Sequence, residues 1–360
     1  PSYAKLLIRG KSRGHLGQLV EEVYREGAVS VSVEDVMLGK APRDMVMPDG
    51  FHSSTNNPTF IHKGEWIEVE NMMMDKCITY DPVKKRAYCK PIRDVRRGDL
   101  IVVGENGVKI SPPERPREGI DVFQFMSSST SSERPTQHIA RKIACDIYDT
   151  KSKKGKIVVV GGPAIVHTGA SEHLAKLIRM GYVDGLLAGN ALAVHDIEYA
   201  LMGTSLGMYL KDGTLAVRGH RNHMQAVNEV FKAGSIIEMV KKGVLKRGIL
   251  YECVRNKVPY VLAGSLRDDG PIPDCIIDVV EAQKKHREVL KGAEMVLMLC
   301  TMLHSIAVGN MLPSNVKVVA VDISQPVVTK LLDRGTWQAI GIVSDVGAFL
   351  PMVVNHLESL

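Results

Sequence analysis

The 360-residue chain has no run of about 18 apolar residues, so no membrane-spanning helix is expected. No cationic, apolar, cleavable leader opens it, and the sequence therefore predicts a cytoplasmic protein. Nor is there a C-x-x-C pair. The six cysteines (Cys77, Cys89, Cys145, Cys253, Cys275 and Cys300) are scattered, which argues for reduced, mostly buried thiols and against a metal or redox motif. No large excess of one charge stands out: 46 basic residues face 40 acidic ones, and the basic residues are spread along the chain apart from short clusters such as "KKR" at 84–86. A net charge of +6 distributed in this way points to a solvated face or an anionic small ligand rather than to nucleic acid. Internal repeats are missing, and so is low complexity beyond one serine-rich stretch.

What is present is a globular composition, 45% apolar and 24% charged, over a length that suits two or three domains. "YAKLLIRG", "GHLGQLVEEVYREG" and "AVSVSVEDVMLG" read as strand, amphipathic helix and strand, and short alternating strands with Gly, Asn and Asp turns follow to about residue 110. "SPPERPREG" at 111–119 has the composition of a linker. The expected division is a smaller α+β domain at 1–115 and a second domain at 116–360. In the second, strands at 157–161, 183–188, 259–262, 294–299, 316–321 and 339–343 alternate with helical stretches, the pattern of an α/β, Rossmann-like parallel sheet covered on both faces.

The first of these strands opens "KKGKIVVVGGPAIVHTGAS", residues 153–171, which starts like a dinucleotide-binding unit yet does not complete G-x-G-x-x-G: Gly161 and Gly162 are adjacent, Pro163 follows, and the next glycine is Gly169. In an open parallel sheet, ligands bind beyond the carboxyl ends of the strands. The residues there are Asn190-Ala191-Leu192, Arg267-Asp268-Asp269-Gly270, Thr301-Met302-Leu303-His304, Asp322 and Asp345-Val346-Gly347. An acid at a strand tip can take both hydroxyls of a ribose, and Asp322 has no Arg beside it, which favours NAD over NADP; the same carboxylate can instead cap the following helix, as can Asp345. His304 and His167 stand open between ligand contact, proton carriage and packing. Met72-Met73-Met74 reads most simply as core or interface.

The stretches "FHSSTNNPTFIHKGEWIEVENMMMDKCI", "FQFMSSSTSSERP", "VVVGGPAIVHTG", "GLLAGNALAVHDIE", "GSLRDDGPIPD" and "LCTMLHSIAVGNMLPS" closely resemble the archaeal-type ornithine cyclodeaminase family, which carries the lysine-oxoglutarate reductase/saccharopine dehydrogenase (LOR/SDH) conserved domain. The resemblance runs over nearly the whole chain. It implies an NAD-dependent lyase that converts L-ornithine to L-proline and ammonia, on a cofactor domain similar to that of deoxyhypusine synthase. It further implies NAD contacts at Asn190, Ala191, Asp269, Thr301, Met302, Leu303, His304, Asp322, Asp345 and Val346, with Gly161-Gly162 as a close-approach loop beside the cofactor. Bacterial relatives carry an added arginine-dihydrolase domain; none precedes residue 1, so arginine is not an expected substrate.

Such chemistry must deprotonate two ammonium groups, protonate a departing amine and keep water from an imine. Asp75 and Glu133 are the catalytic candidates, with Glu70 also considered, and Asn56, Asn57 and Arg134 are the expected substrate contacts. The active site is expected in the cleft between the domains, facing "STNNP" and "MMMDKC". A homo-oligomer is expected from the Met-rich stretch and the carboxy-terminal helix, without nucleic acid or membrane as partner. The alternatives are a lysine-oxoglutarate reductase/saccharopine dehydrogenase-like oxidoreductase and a non-catalytic NAD-binding protein.

Overall fold

The computed structural model describes residues 34–111, 136–216, 219–268, 271–334 and 339–360, with a few positions between 12 and 23. The amino-terminal strand–helix–strand expectation falls largely outside them, as does the expected domain boundary at 115/116. Seven short strands build the first sheet: β1 (Met37–Lys40), β2 (Thr59–His62), β3 (Trp66–Glu70), β4 (Cys77–Asp81), β5 (Arg86–Lys90), β6 (Leu100–Val103) and β7 (Val108–Ile110). Their order is β1-β6-β4-β5-β3-β2-β7, and every pair is antiparallel except β3 with β5. Local chemistry sets the turns: between β4 and β5 the Asp81 carboxylate accepts the amides of Val83 and Lys84, and Lys85 takes a left-handed φ of 51°. One face buries Ile61, Val69, Ile78, Ala87 and Val102 together with Met72 and Met73.

The second sheet is parallel and begins after helix α1 (Thr136–Ser152), whose Ala140, Ile143, Ala144 and Ile147 fall on one buried stripe. β8 (Lys156–Gly161) leads through α2 (Ala164–His167) and α3 (Ser171–Arg179) to β9 (Gly185–Gly189) and α4 (Asn190–Met202). A small hairpin, β10 (Thr204–Ser205) with β11 (Met208–Tyr209), and helices α5 (His220–Ala233), α6 (Ile236–Lys241) and α7 (Ile249–Arg255) intervene before β12 (Tyr260–Ala263) and β13 (Cys275–Ile276). The chain then crosses through α8 (Val279–Leu290) to β14 (Ala293–Leu299), α9 (Met302–Gly309), β15 (Lys317–Asp322), α10 (Gln325–Arg334), β16 (Ala339–Val343) and α11 (Val346–Glu358). Each of the six expected strands lies within two residues of its predicted limits. Successive residues of β8 explain why its sequence is a continuous apolar run: Ile157 and Val159 enter the core under α1, α3, α4 and α11, while Val158 and Val160 enter the opposite one under α8, α9 and α10.

The order β13-β12-β9-β8-β14-β15-β16 makes the junction of β8 with β14 the point where the winding reverses. The first sheet docks along the face that carries α8 and α9, at the far end of α9 and near the start of α8. Ser314 N–H donates to Asn56 O (2.7 Å), Met74 N–H donates to Asn310 O (3.3 Å), and Arg93 reaches Gln283 on α8 (2.6 Å). Asn310 and Ser314 lie past the carboxyl end of α9, ahead of β15. Eight residues of helix, about 12 Å at 1.5 Å per residue, thus separate them from the Thr301 tip. The stretches invoked for an oligomer are inside the chain: Met72 and Met73 are in the core of the first sheet, and α11 buries Phe349, Leu350, Val353 and Val354 against α1 and α3.

Candidate active site at the carboxyl edge

At the reversal point the two adjacent glycines have a geometric cause. A Cβ on Gly162 would stand 2.0 Å from the carbonyl oxygen of Cys300, and the Gly162 amide donates to Leu299 O at 2.9 Å. The loop after β8 is therefore pressed against the loop after β14, and only glycine permits that contact. Cys300 itself adopts a left-handed φ of 48°. Its thiol is pushed up to about 12, first by burial and then by the carboxylates of Asp322 and Asp345, which places the tips of β14, β15 and β16 in one neighbourhood.

Each tip begins a helix, where the first amides lack intrahelical acceptors. Met302 and Leu303 open α9 with exposed side chains, and Ile323 stands exposed after β15. Asp322 accepts the Ser324 amide (2.8 Å) and Asp345 accepts the Gly347 amide (2.8 Å), so one oxygen of each carboxylate serves a local turn or cap. Across the reversal, His304 lies over Gly189, where a Cβ would come within 2.8 Å of its Nε2; burial holds this imidazole below its usual range against the opposing charge of Asp268. Asn190 Oδ1 accepts the Ile272 amide (3.0 Å), its Nδ2 donates to Asp268 (3.5 Å), and Asp268 in turn accepts the Ser265 amide (2.7 Å). These bonds hold the loop after β12 over the start of α4.

Under that loop is a cavity of about 290 Å³ whose walls include Asn190, Ala191, His195, His223, Arg267 and Asp268. Its floor is a cluster of imidazoles. His195 packs edge-on against His167 (centroids 4.5 Å apart) and tilted against His223 (4.8 Å). His195 Nδ1–H donates to Glu198 (3.1 Å), a fully buried carboxylate that also accepts Thr204 Oγ1–H (2.9 Å) and the Gly207 amide (3.4 Å). Burial pushes Glu198 up, but these donors outweigh it and hold the carboxyl below its ordinary range. His167, paired with Ser205 Oγ (2.7 Å), is brought down to about 4 by burial and then by the neighbouring His195; His223 is lowered by the same two causes. His223 Nδ1 is buried with no hydrogen-bond partner among the described residues, as a ligand-facing atom would be. His195, Glu198 and His223 offer ligand atoms within 4.8 Å of one another and are the described group with metal-like spacing.

The structure thus gathers Asn190, Ala191, Thr301, Met302, Leu303, His304, Asp322, Asp345 and Val346 along one edge. It does not bring the small domain's candidates there. Asp75 is an exposed turn residue with a φ of 57°, its amide bonded to Ser54 O, and Asn56 is buried at the docking face beside Ser314. Asn57 Oδ1 is buried without a partner among the described residues, and Glu70 forks onto Arg86 at the surface. The stretches "STNNP" and "MMMDKC" thus do not line the cavity at Asn190; a second cavity, about 430 Å³, lies between Arg93 and Asp94 of the first sheet's unit and the start of α8. Glu133, Arg134 and Asp269 fall outside the described residues. His195, Glu198 and His223 went unpredicted as site residues. The available signal was the polar i, i+3 pair inside "NALAVHDIE", directly after a strand tip.

Three family models match in series: the LOR/SDH bifunctional enzyme conserved region at 1–57, the first region of the arginine dihydrolase ArgZ-like C-terminal part at 58–140, and its Rossmann fold at 141–353. An ornithine cyclodeaminase of Methanocaldococcus jannaschii is 57% identical over 100% of this chain and 86% of its own length, and one of Methanopyrus kandleri is 55% identical over 99% and 87%. A LOR/SDH protein of Methanococcus maripaludis has a crystal structure that matches with a TM-score of 0.87 at 50% identity, covering 91% of this chain and 99% of that one. The ternary complex of AgrE with ornithine and NAD+ matches with a TM-score of 0.60 at 42% identity over 96% of this chain and 49% of that one.

Proposed function

The chain belongs to the ornithine cyclodeaminase family, and from that premise we propose that it uses NAD to convert L-ornithine to L-proline and ammonia at the carboxyl edge of its parallel sheet. The observation that carries this reading is the meeting at Asn190 and Ala191 of two different surfaces: a row of strand tips suited to a dinucleotide and an open cavity with His195, His223, Arg267 and Asp268 in its wall.

The residues present fit the cofactor. Asp322 is positioned to take ribose hydroxyls with the oxygen not engaged by Ser324, and the opening amides of α9 would face the pyrophosphate. Met302, Leu303 and Ile323 would cover its rings, while Asp345, Val346, Asn190, Ala191 and His304 complete the contacts. Bound NAD supplies a hydride acceptor that returns the hydride later, so the net conversion is redox-neutral.

On the other side of Asn190, the chain's own residues position the substrate. Arg267, at the rim of the cavity, is placed to fork the ornithine carboxylate, and Asp268 to attract an ammonium group. Folding the substrate within the cavity would bring the δ-amine to Cα, where ring closure is fast because it is intramolecular. The loop after β12 is tied down by Asn190, which accepts the Ile272 amide and donates to Asp268 beside the cavity. Glu133, Arg134 and Asp269 remain part of this proposal as contacts from neighbouring segments.

Assembly is the remaining component. Leu206, Met208, Leu215, Met224 and Phe231, on and after the β10–β11 hairpin and on α5, are exposed apolar residues, Leu206 at the cavity wall, and are proposed as a contact between copies. No helix among the described residues is long and apolar enough to cross a membrane.

Incubation of the purified chain with ornithine and catalytic NAD tests the activity. Proline and ammonia in equal amounts, without net NADH, are expected. Stoichiometric NADH with lysine or saccharopine would instead favour the dehydrogenase reading.

A further inference from the structure

We propose that His195, held by Glu198 and backed by His223, is the group that takes a proton from the substrate's amine and returns one to the departing ammonia. This deepens the ornithine reading and rests on it. The reaction needs such a group, since an α-ammonium has no lone pair to assist loss of hydride from Cα, and an amine leaves carbon only as ammonia. Among the described residues at the carboxyl edge, the strand-tip carboxylates of Asp322 and Asp345 are engaged in turns on the far side of the reversal; of the titratable groups in the cavity wall, Asp268 is tied to the Ser265 amide and Asn190, His223 Nδ1 has no partner among the described residues, and His195 is the imidazole held by a buried carboxylate.

The support determines its chemistry. With three donors converging on it and no exposure, Glu198 stays ionised and can only accept, so the His195 proton sits on Nδ1 and Nε2 is left with its lone pair. Thr204 is itself fixed by Asn222 (2.9 Å), which makes the carboxylate's position a property of α4, the hairpin and α5 together. The groups that face His195 are His167 from α2, Glu198 from its own helix and His223 from α5, with Arg267 and Asp268 across the cavity. Three imidazoles in ring contact in a buried place do not all charge. One proton can be held there, beside the Glu198 carboxylate.

The α-nitrogen's proton balance closes on His195, while the δ-ammonium gives up one proton before it adds and a second as the ring imine forms, both to solvent, and two are taken back when the reduced ring nitrogen and the released ammonia are protonated. The substrate α-ammonium breaks an N–H bond and gives the proton to Nε2, forming an imidazolium paired with Glu198. The amine's electron pair would then assist loss of hydride from Cα as the C=N bond forms, bound NAD supplying the acceptor. After the δ-amine adds to that carbon, the imidazolium protonates the original nitrogen, the C–N bond breaks with its electrons going to nitrogen, and ammonia departs. Neutral His195 is restored. His223 Nδ1, buried and without a partner, lies beside this path as a polar contact for the amine.

The test compares wild type with His195→Gln, Glu198→Gln and His223→Asn under saturating NAD, following proline formation, NAD binding by fluorescence, and melting. His195→Gln should lower kcat by about 10² or more while NAD affinity stays within about twofold. For Glu198→Gln a loss of about tenfold is expected. The acid limb of its kcat/KM profile should move to lower pH, because the imidazolium loses its carboxylate partner; a purely structural role for Glu198 would not move that limb. Should His195→Gln fail to fold, the shift with Glu198→Gln and the wild-type acid limb carry the test. Wild-type turnover by His195→Gln, or a wild-type profile flat through the imidazole range, would overturn the inference alone. A wild type that makes no proline overturns the functional reading and this inference with it. Activity abolished by a chelator and restored by zinc, with one zinc per chain, would assign His195, Glu198 and His223 to a cation and also overturn it.

Discussion

The two halves of one sheet edge, both reached from Gly162, are built from different chemistry. On the β14–β16 side the tips carry carboxylates already committed in part to backbone amides, together with exposed Met302, Leu303 and Ile323. On the β9–β12 side the wall is made of His195, His223 and Arg267, supported by Glu198, which is wholly buried. The first half is a set of shallow contacts spread over several short loops, which suits an extended ligand whose parts are each held by one or two groups. The second is deep and interconnected, with each polar group fixed by another, which suits positioned proton chemistry. Strand ends alone provide a grip; reactivity here needs side chains projecting from a helix one turn beyond its start.

Asp322→Ala breaks the first half. Loss of a charge-assisted hydrogen bond to ribose should weaken NAD by about 10- to 100-fold, roughly 1–3 kcal/mol, with little change in the ornithine KM once NAD saturates. Calorimetric titration measures it, and an unchanged affinity would leave Asp322 as nothing more than the acceptor for Ser324. Arg267→Ala addresses the second half: KM for ornithine should rise by about tenfold with kcat largely kept, the signature of lost carboxylate binding. If NAD affinity falls instead, the boundary between the halves is misplaced.

Acid should also separate them. His167, His223, His286 and His304 are all held below the ordinary 6.5 by burial, His167 and His286 down to about 4. The unfolded chain therefore binds protons that the folded one refuses, and stability falls as pH drops from about 6.5 toward about 4. Melting temperature measured across that interval should decline, and His286→Leu should flatten part of the slope. The smallest effect is expected from Asp75→Asn. Proline formation should stay within about twofold, since Asp75 is an exposed turn residue at the docking end of the molecule. A loss of 10² or so would mean that the small domain reaches an active site after all, that of a neighbouring copy.

How much of this was readable beforehand follows from the physics of each part. Parallel strands buried on both faces are continuous apolar runs, so "KIVVVG" and "KVVAVD" announced themselves, whereas β13, two residues long, and the β10–β11 hairpin carry too few residues to make a pattern. The strand tips were legible because the sheet dictates where a ligand goes, independent of which residues stand there. The imidazole cluster was not. His167, His195 and His223 come from three separate helices, and nothing local in "IVHTG" or "HRNHM" tells that their rings meet. Asp75 and Asn56 were singled out by their place in a recognisable segment, and a segment's familiarity does not specify which helices of the sheet it packs on; here Asn56 meets Ser314 past the end of α9.

The contact between Gly162 and the Cys300 carbonyl bears on redesign. In a standard nucleotide fold the pyrophosphate lies on the glycine-rich turn, which tolerates variation beyond its glycines, while an acid at a strand tip sets the choice between the two dinucleotides. Here that turn is sealed by the protein's own backbone, and a side chain introduced at Gly162 would pry apart the strands on which both halves of the edge depend. A version accepting a 2′-phosphorylated dinucleotide would therefore have to be made at the tip of β15, by replacing the charge of Asp322 and adding a cation nearby, leaving the glycines untouched.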